Sequence, residues 1–307
     1  MRAMSNEQAP SRSRRKAILF VILAYAFSWL LAAGYYALGG RLTQPAAIVV
    51  VTLYMFSPMT AAIIVQKVIY KQPLRAPLAI SFRPNRWFLV AWFLPPIAAL
   101  ATLGVSILLP GVKYSPDMAG LFERFASSLT PEQIAAAKQQ LAASPVHLVW
   151  IAMLEALIAG VTINAVAGFG EELGWRSLLQ GELSDLGFWR SSALIGVIWG
   201  IWHAPLVIQG HNYPQHPLLG VAMMTVFTLL LSPIFGYVRL KAKSVFAAAI
   251  IHGSLNAVAG LPLMVLVGGN DLSVGITGLA GFVVLAIINL FIFVFERSQA
   301  DAEITAQ

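Results

Sequence analysis

Long apolar blocks separated by short polar segments dominate this chain of 307 residues. About 20 consecutive apolar residues in a helix are enough to cross the hydrocarbon core of a bilayer. Blocks of about this length occupy residues 17–38, 46–66, 87–109, 146–170, 191–209, 218–240, 245–267 and 274–295. The pattern therefore predicts an all-α integral membrane protein with about eight transmembrane helices.

One long segment, residues 111–146, has ordinary polar character. Its apolar residues recur at helical spacing, at Met118, Leu121, Phe122, Phe125 and Leu129. This spacing predicts a short amphipathic helical segment at the membrane surface. Thr130 followed by Pro131 and Gln133 has the composition of a helix start, with threonine as the cap.

Basic residues orient the predicted helices, because cytoplasmic loops carry an excess of lysine and arginine. With the N-terminus in the cytoplasm, all but four of the 20 Lys and Arg residues lie on the cytoplasmic side, the exceptions being Arg41, Lys113, Arg124 and Lys138. We therefore expect both termini in the cytoplasm, and the plasma (inner) membrane if the source is bacterial. The predicted order is a cytoplasmic basic tail (1–16), three transmembrane helices (17–110), an amphipathic extracytoplasmic segment (111–146), a transmembrane core (147–296) and a cytoplasmic tail (297–307).

Composition narrows the chemistry that the chain can perform. Hydrophobic residues make up 58% of it and charged residues 11%, against about 25% charged in soluble domains. The absence of cysteine excludes disulfides, thiolate nucleophiles and thiolate metal sites. The net charge of +7 comes without a basic stripe interleaved with aromatics, so we expect a lipid bilayer as partner and no nucleic acid.

A charged cluster inside the apolar sequence is the main candidate for a functional site. Glu171, Glu172 and Arg176 lie at the end of the fourth block, and charges at such places usually mark function. Counted along their blocks at about 1.5 Å per residue, His203 and His252 reach a similar intermediate depth. Asn256 lies one helical turn beyond His252.

The two glutamates are expected to differ in role. Glu172 precedes Arg176 by four residues, the order that favours a helical ion pair. Glu171 points about 100° away on the same helix and is left without such a partner, which makes it the better candidate base.

Other polar residues receive less specific interpretations. His147 is expected at the membrane interface, and His211 and His216 in a surface loop. Glu155 has no evident partner and lies either at the outer interface or against a cavity. Ser177 has no base placed to activate it as a nucleophile.

The charged cluster and the two histidines resemble the motifs of the CPBP family of intramembrane proteases, which includes type II CAAX prenyl endopeptidases and Abi proteins. The EExxxR motif matches Glu171, Glu172 and Arg176, and the HxxxN motif matches His252 and Asn256. The motif that places an aromatic residue before a histidine matches Trp199 and His203, with tryptophan in place of the usual phenylalanine. The resemblance implies an intramembrane endopeptidase for a membrane-associated or lipidated, CAAX-type peptide or protein.

The resemblance also suggests catalytic roles. Glu171 and His203 would activate a water, while His252 and Asn256 would hold the carbonyl oxygen. Glu172, Arg176 and Trp199 would support the site, with Arg176 available to a substrate carboxylate. The cavity is expected to open toward the cytoplasm and laterally to lipid.

Three alternatives stay open from the sequence. A zinc ion bound by Glu171, His203 and His252 would make the protein a metalloprotease; otherwise no cofactor is expected. A non-catalytic bacteriocin-immunity-type membrane protein could keep the same motifs. A small-molecule transporter would also place polar residues at mid-depth, although the chain lacks the paired halves common in transporters.

Overall fold

A computed structural model of the chain describes residues 14–125 and 130–305, and these residues are almost entirely helical. The helices are α1 (Arg15–Ala37), α2 (Ala46–Ile63), α3 (Arg86–Ile107), α4 (Ala119–Phe125), α5 (Pro131–Ala143), α6 (Leu148–Val161), α7 (Ile163–Glu172), α8 (Gln180–Glu182), α9 (Phe188–Trp202), α10 (Ala204–Val207), α11 (Pro217–Ala242), α12 (Val245–Val258), α13 (Leu261–Met264) and α14 (Leu279–Thr305). Wider π-helical turns continue α2 over Ile64–Ile69 and join α7 to α8 over Leu173–Leu179. A short 3-10 turn, Ser184–Leu186, precedes α9.

The membrane-spanning elements confirm the predicted all-α membrane protein. Among the described residues, six helices are long and apolar enough to cross a bilayer, and a seventh span results if α6 and the helical segment 163–182 are counted as one span bent by 46°. The predicted fifth span is shorter than expected, because α9 ends at Trp202 and α10 begins two residues later. Pro205 has no N–H for a helical hydrogen bond and its ring opposes the carbonyl of Ile201, which explains the interruption at His203.

The polar segment between α3 and α6 contains the predicted helical structure in two pieces. Thr130 caps α5 through a full capping box with Gln133, as its sequence predicts. Met118 is buried and immediately precedes α4, and Leu129 lies outside the described residues. A feature not predicted from the sequence is a two-residue antiparallel pairing of β1 (Lys113–Tyr114) with β2 (Leu266–Val267).

Helix α7 lies at the centre of the bundle, between α2 and α12. A Cβ atom at Gly168 would lie 2.9 Å from the carbonyl oxygen of Ala249, and one at Gly170 would lie 2.9 Å from that of Met55. Small residues of this kind allow membrane helices to approach backbone to backbone. The end of α7 that carries Glu171 is therefore held tightly between two neighbouring helices.

The bundle has two distinct ends. At the basic end, α1 and α9 begin and α2 and α11 end. Contacts that tie this end together are Lys16 Nζ to Glu182 Oε1 at 2.9 Å, Asn85 Nδ2 to the Ala242 carbonyl at 3.2 Å, and Lys241 Nζ to Glu296 Oε1 at 2.8 Å. At the opposite end, the loop end, segments 208–216 and 268–278 connect the helices. Tyr213 donates a hydrogen bond to the Thr277 carbonyl at 2.7 Å there, and His216 Nδ1 lies 2.6 Å from Asp271 Oδ1.

Candidate active site

A cavity of about 300 Å³ lies between α2, α7, α9, α11 and α12. It brings together all four residues that the sequence nominated for catalysis, and its lining includes Glu171, His203, His252 and Asn256. Apolar side chains such as Val51, Met55 and Leu231 form much of the remaining wall. A concave, mostly apolar pocket with a few converging polar groups is typical of a binding or catalytic site.

Glu171 lies at the inner part of this cavity with 2% of its surface exposed. Its Oε2 accepts a hydrogen bond of 2.7 Å from the indole Nε1 of Trp199, which is also buried. The sequence indicated only that Trp199 shapes the pocket. The tryptophan in place of the usual phenylalanine could have predicted this hydrogen bond to Glu171, because indole carries an N–H that phenylalanine lacks.

His252 is fixed by the second glutamate of the pair. Its Nδ1 lies 2.8 Å from Glu172 Oε1, and its Nε2 lies 4.0 Å from Glu171 Oε1. A carboxylate that accepts the Nδ1–H of a histidine fixes both the tautomer and the ring orientation. Glu172 therefore holds the imidazole so that Nε2 is directed at Glu171.

Arg176 lies behind the cavity wall, where it and Glu172 form a buried ion pair that we call the floor. Its guanidinium lies 3.2 Å from Glu172 Oε1, as the four-residue spacing predicts, and it stacks on Trp199 at 4.1 Å from the ring centre. Phe235 covers it from another side at 5.2 Å. Arg176 is 1% exposed and is not among the cavity-lining residues, so its predicted contact with a substrate carboxylate would need the wall to move.

His203 and Asn256 present polar atoms to the cavity. His203 lies just after the last residue of α9, and its Nδ1 lies 2.8 Å from the Trp199 carbonyl oxygen. Since a carbonyl only accepts, Nδ1 is the donor and Nε2 is left as the acceptor of the neutral ring. The Asn256 side chain is exposed and makes no hydrogen bond within the part of the chain that the structure describes.

The geometry of these donors does not match a metal site. In the described ranges, no group of three or more His, Cys, Asp or Glu side chains is arranged to hold a metal ion. One oxygen of Glu171 is engaged by Trp199, and Glu172 is engaged by both His252 and Arg176. The predicted set of Glu171, His203 and His252 therefore surrounds a common space without forming a coordination sphere.

The mouth of the cavity lies toward the loop end, where the exposed Asn212 and the partly exposed His211 and Thr277 line it. The sequence predicted an opening toward the cytoplasm and laterally to lipid; the exposed lining residues are Asn212, at the loop end, and Asn256, on α12. The basic end is closed because Arg176 lies buried against Trp199 and Phe235, directly beneath Glu172.

Several secondary candidates lie away from the reacting groups. His211 lines the mouth instead of the outer surface, and burial lowers the pKa of its imidazole. His147 caps α6 by accepting from the Val149 N–H at 3.2 Å. Glu155 is exposed on α6, and Ser177 is buried outside the cavity.

Comparison with known proteins shows a family to which the segment carrying this site is similar. Residues 143–258 match the sequence model of a family described as type II CAAX prenyl endopeptidase Rce1-like. A curated relative, CAAX prenyl protease 2 of Methanococcus maripaludis, is 31% identical over 93 residues, which is 28% of this chain and 34% of that relative. The chain thus spans about a third of the length of the relative that it matches. All of the cavity glutamates and histidines from Glu171 to His252, together with Asn256, fall inside the matched segment. Residues 143–258, which contain the whole candidate site, are therefore similar to the Rce1-like family of type II CAAX prenyl endopeptidases.

Proposed function

We propose that the chain is an intramembrane endopeptidase that hydrolyses a peptide bond of a membrane-associated or lipidated substrate. The observation that carries this proposal is the buried Glu171 carboxylate, held by Trp199, 4.0 Å from His252 Nε2 and in one cavity with His203. The Rce1-like family supports the class of reaction. The catalytic chemistry below follows from the donors and acceptors that line the cavity.

In the first step, Glu171 and the Nε2 acceptor of His203 position a water molecule. General base catalysis by such groups accelerates a reaction by about 10²–10⁴-fold. The water oxygen bonds to the carbonyl carbon of the scissile peptide, and its proton passes to Glu171. The carbonyl oxygen becomes an oxyanion in the same step.

His252 and Asn256 hold that oxyanion in the proposed mechanism. The Asn256 amide is a neutral donor at the cavity wall, and His252 is oriented by Glu172 with its Nε2 toward the cavity. Hydrogen-bond donors aimed at developing charge are often the largest single contribution to catalysis of acyl transfer. His252 serves as a donor at Nε2 when its ring carries both protons, a form that the Glu172 carboxylate stabilises.

In the second step, the carbon–nitrogen bond breaks. The proton held by Glu171 passes to the leaving nitrogen, which departs as an amine, and the carbonyl carbon becomes a carboxylic acid. Glu171 returns to its ionised form, so atoms and charge balance over one turnover. The Glu172–Arg176 pair stays beneath the site and takes no part in proton transfer.

The experiment that tests this function is peptide cleavage by the purified protein in lipid nanodiscs. The substrates would be quenched fluorescent peptides, including a farnesylated CAAX peptide, and mass spectrometry would identify the new ends. We expect hydrolysis at one peptide bond that persists in the presence of a metal chelator. Hydrolysis that stops with chelator and returns with zinc would overturn the metal-independent chemistry. A folded protein that cleaves none of the peptides would instead support a non-catalytic role.

A further inference from the structure

The charge distribution and the position of the cavity mouth together indicate the side of the membrane from which the cavity is reached. At the basic end, loops and helix termini carry basic residues on several elements, including Lys67, Lys71, Arg75, Arg190 and Lys243. The predominance of lysine and arginine on one side is the strongest indicator of the cytoplasmic face of a membrane protein. The basic end is therefore the end expected in the cytoplasm.

Contacts in the structure show that this end is a single face of the bundle. Lys16 at the start of α1 is bonded to both Gln72, after α2, and Glu182, in α8. Ser244, before α12, donates a hydrogen bond of 2.6 Å to the Ser81 carbonyl, before α3. The basic residues of these neighbouring segments therefore share one side, and the charge bias applies to the bundle as a whole.

The cavity opens at the other end. Its mouth includes Asn212, which is exposed, and Thr277, which is partly exposed, both from the connecting segments of the loop end. Tyr213 and Asp271 fasten these two segments to each other beside the mouth. On the opposite side, the path is blocked by Arg176 and Glu172, whose side chains are 1% and 0% exposed.

We infer that the cavity opens on the extracytoplasmic side of the membrane, so that the scissile peptide reaches Glu171 from that side. That a peptide substrate enters the cavity rests on the proposed function, whereas the side of the membrane on which the cavity opens does not. The substrate class is then a peptide segment presented at the outer leaflet, such as the membrane-proximal part of an exported or lipid-anchored chain. A prenylated tail in the cytoplasm would meet the closed basic end.

The absence of cysteine gives a direct test, because a single introduced cysteine is a unique reporter. The variants are Asn212→Cys at the mouth, Leu218→Cys at the start of α11, which is 78% exposed, and Ala76→Cys in the loop between α2 and α3. Ala76 is the matched control because it is exposed, uncharged and at the basic end. Leu218→Cys guards against misfolding of Asn212→Cys, whose backbone has a φ of 61°.

Each full-length variant would be expressed in a bacterial host and treated, as spheroplasts, with a membrane-impermeant maleimide before and after detergent permeabilisation. We expect near-complete labelling of Asn212→Cys and Leu218→Cys in intact spheroplasts, and labelling of Ala76→Cys only after permeabilisation. The reverse pattern would overturn the inference. Labelling of all three in intact spheroplasts would also overturn it, because the chain would then have no fixed orientation.

The labelling also separates this inference from the proposed function, because it needs no turnover. A protein that labels as expected but hydrolyses no peptide would refute the protease and leave the topology standing. A protein that hydrolyses peptides but labels in the reverse pattern would refute the topology alone.

Discussion

Glu171 and Glu172 are neighbours in the chain, yet they lie in two different parts of the site. The floor contains Glu172 and Arg176, whose charges are paired with each other and with the Nδ1 of His252. The cavity wall contains Glu171, which accepts one hydrogen bond from Trp199 and whose Oε1 lies 4.0 Å from His252 Nε2. Both carboxylates are buried, but only one faces open space.

The difference follows from the helix and its neighbours. Consecutive residues on a helix point about 100° apart, so adjacent glutamates meet different surroundings. Glu172 forms an ion pair with Arg176 and orients His252, whereas Glu171 lines the open cavity and can take a proton from a water there. Substitutions in the floor should therefore affect folding first, and substitutions in the wall should affect turnover alone.

The largest effect is expected in the floor, for Arg176→Met. Removing one partner of a buried ion pair leaves the other charge uncompensated, at a cost of about 3–5 kcal/mol in folding free energy. Thermal unfolding of the purified protein should show this loss, and cleavage activity should disappear with the folded protein. An Arg176→Met protein as stable as the wild type would contradict the assignment of the floor.

The matched control is the double variant Glu172→Gln with Arg176→Met, which removes both charges. It should recover much of the lost stability without recovering cleavage, because His252 loses the carboxylate that orients it.

The next largest effect is expected in the wall, for His203→Ala. Loss of a general base or water-positioning group lowers the rate by about 10²–10⁴-fold. Stability should change little, since the His203 side chain makes one hydrogen bond, to the Trp199 carbonyl. His216→Ala, which changes a histidine outside the cavity, is the control and should keep its activity. Equal activity in the two variants would remove His203 from the mechanism.

A smaller effect is expected for Trp199→Phe, which keeps an aromatic ring beside Arg176 but removes the donor to Glu171. A hydrogen bond to a charged group contributes about 1.5–3 kcal/mol, so kcat should fall roughly ten- to a hundredfold with KM unchanged. Trp202→Phe is the matched control, because the indole N–H of Trp202 has no partner among the described residues. A fall in stability without a change in kcat would show that Trp199 only packs.

The smallest effect is expected for Ser177→Ala. The Ser177 hydroxyl is buried outside the cavity and has no hydrogen-bond partner within the described chain. Cleavage rates should be unchanged within error. A loss of activity with an unchanged unfolding temperature would point to a serine nucleophile instead.

The sequence predicted the membrane architecture and the site residues for physical reasons that act locally. Apolar block length predicts helices, and depth counted along the blocks predicted a similar level for His203 and His252, which line one cavity with Glu171. The ion pair of Glu172 with Arg176 could also be predicted, because the two residues are four positions apart on one helix.

Other features depend on the tertiary arrangement. The contact of His252 with Glu172 joins residues 80 positions apart, and that of Trp199 with Glu171 joins residues 28 apart. The direction of the cavity mouth depends on how the loop end packs, which no local pattern encodes. The break of α9 at His203 has a signal in the sequence, Pro205, but the prediction followed the apolar run around it as one continuous span.

The most direct test of the account compares the cleavage rate of Glu171→Gln with that of the wild type, in nanodiscs and at matched unfolding temperature. Glutamine keeps the shape and can still accept from Trp199, but it cannot take a proton from water. We predict that the variant folds normally and that its hydrolysis falls to background, while Glu172→Gln loses stability as well. A Glu171→Gln protein that cleaves at the wild-type rate would contradict the division between wall and floor.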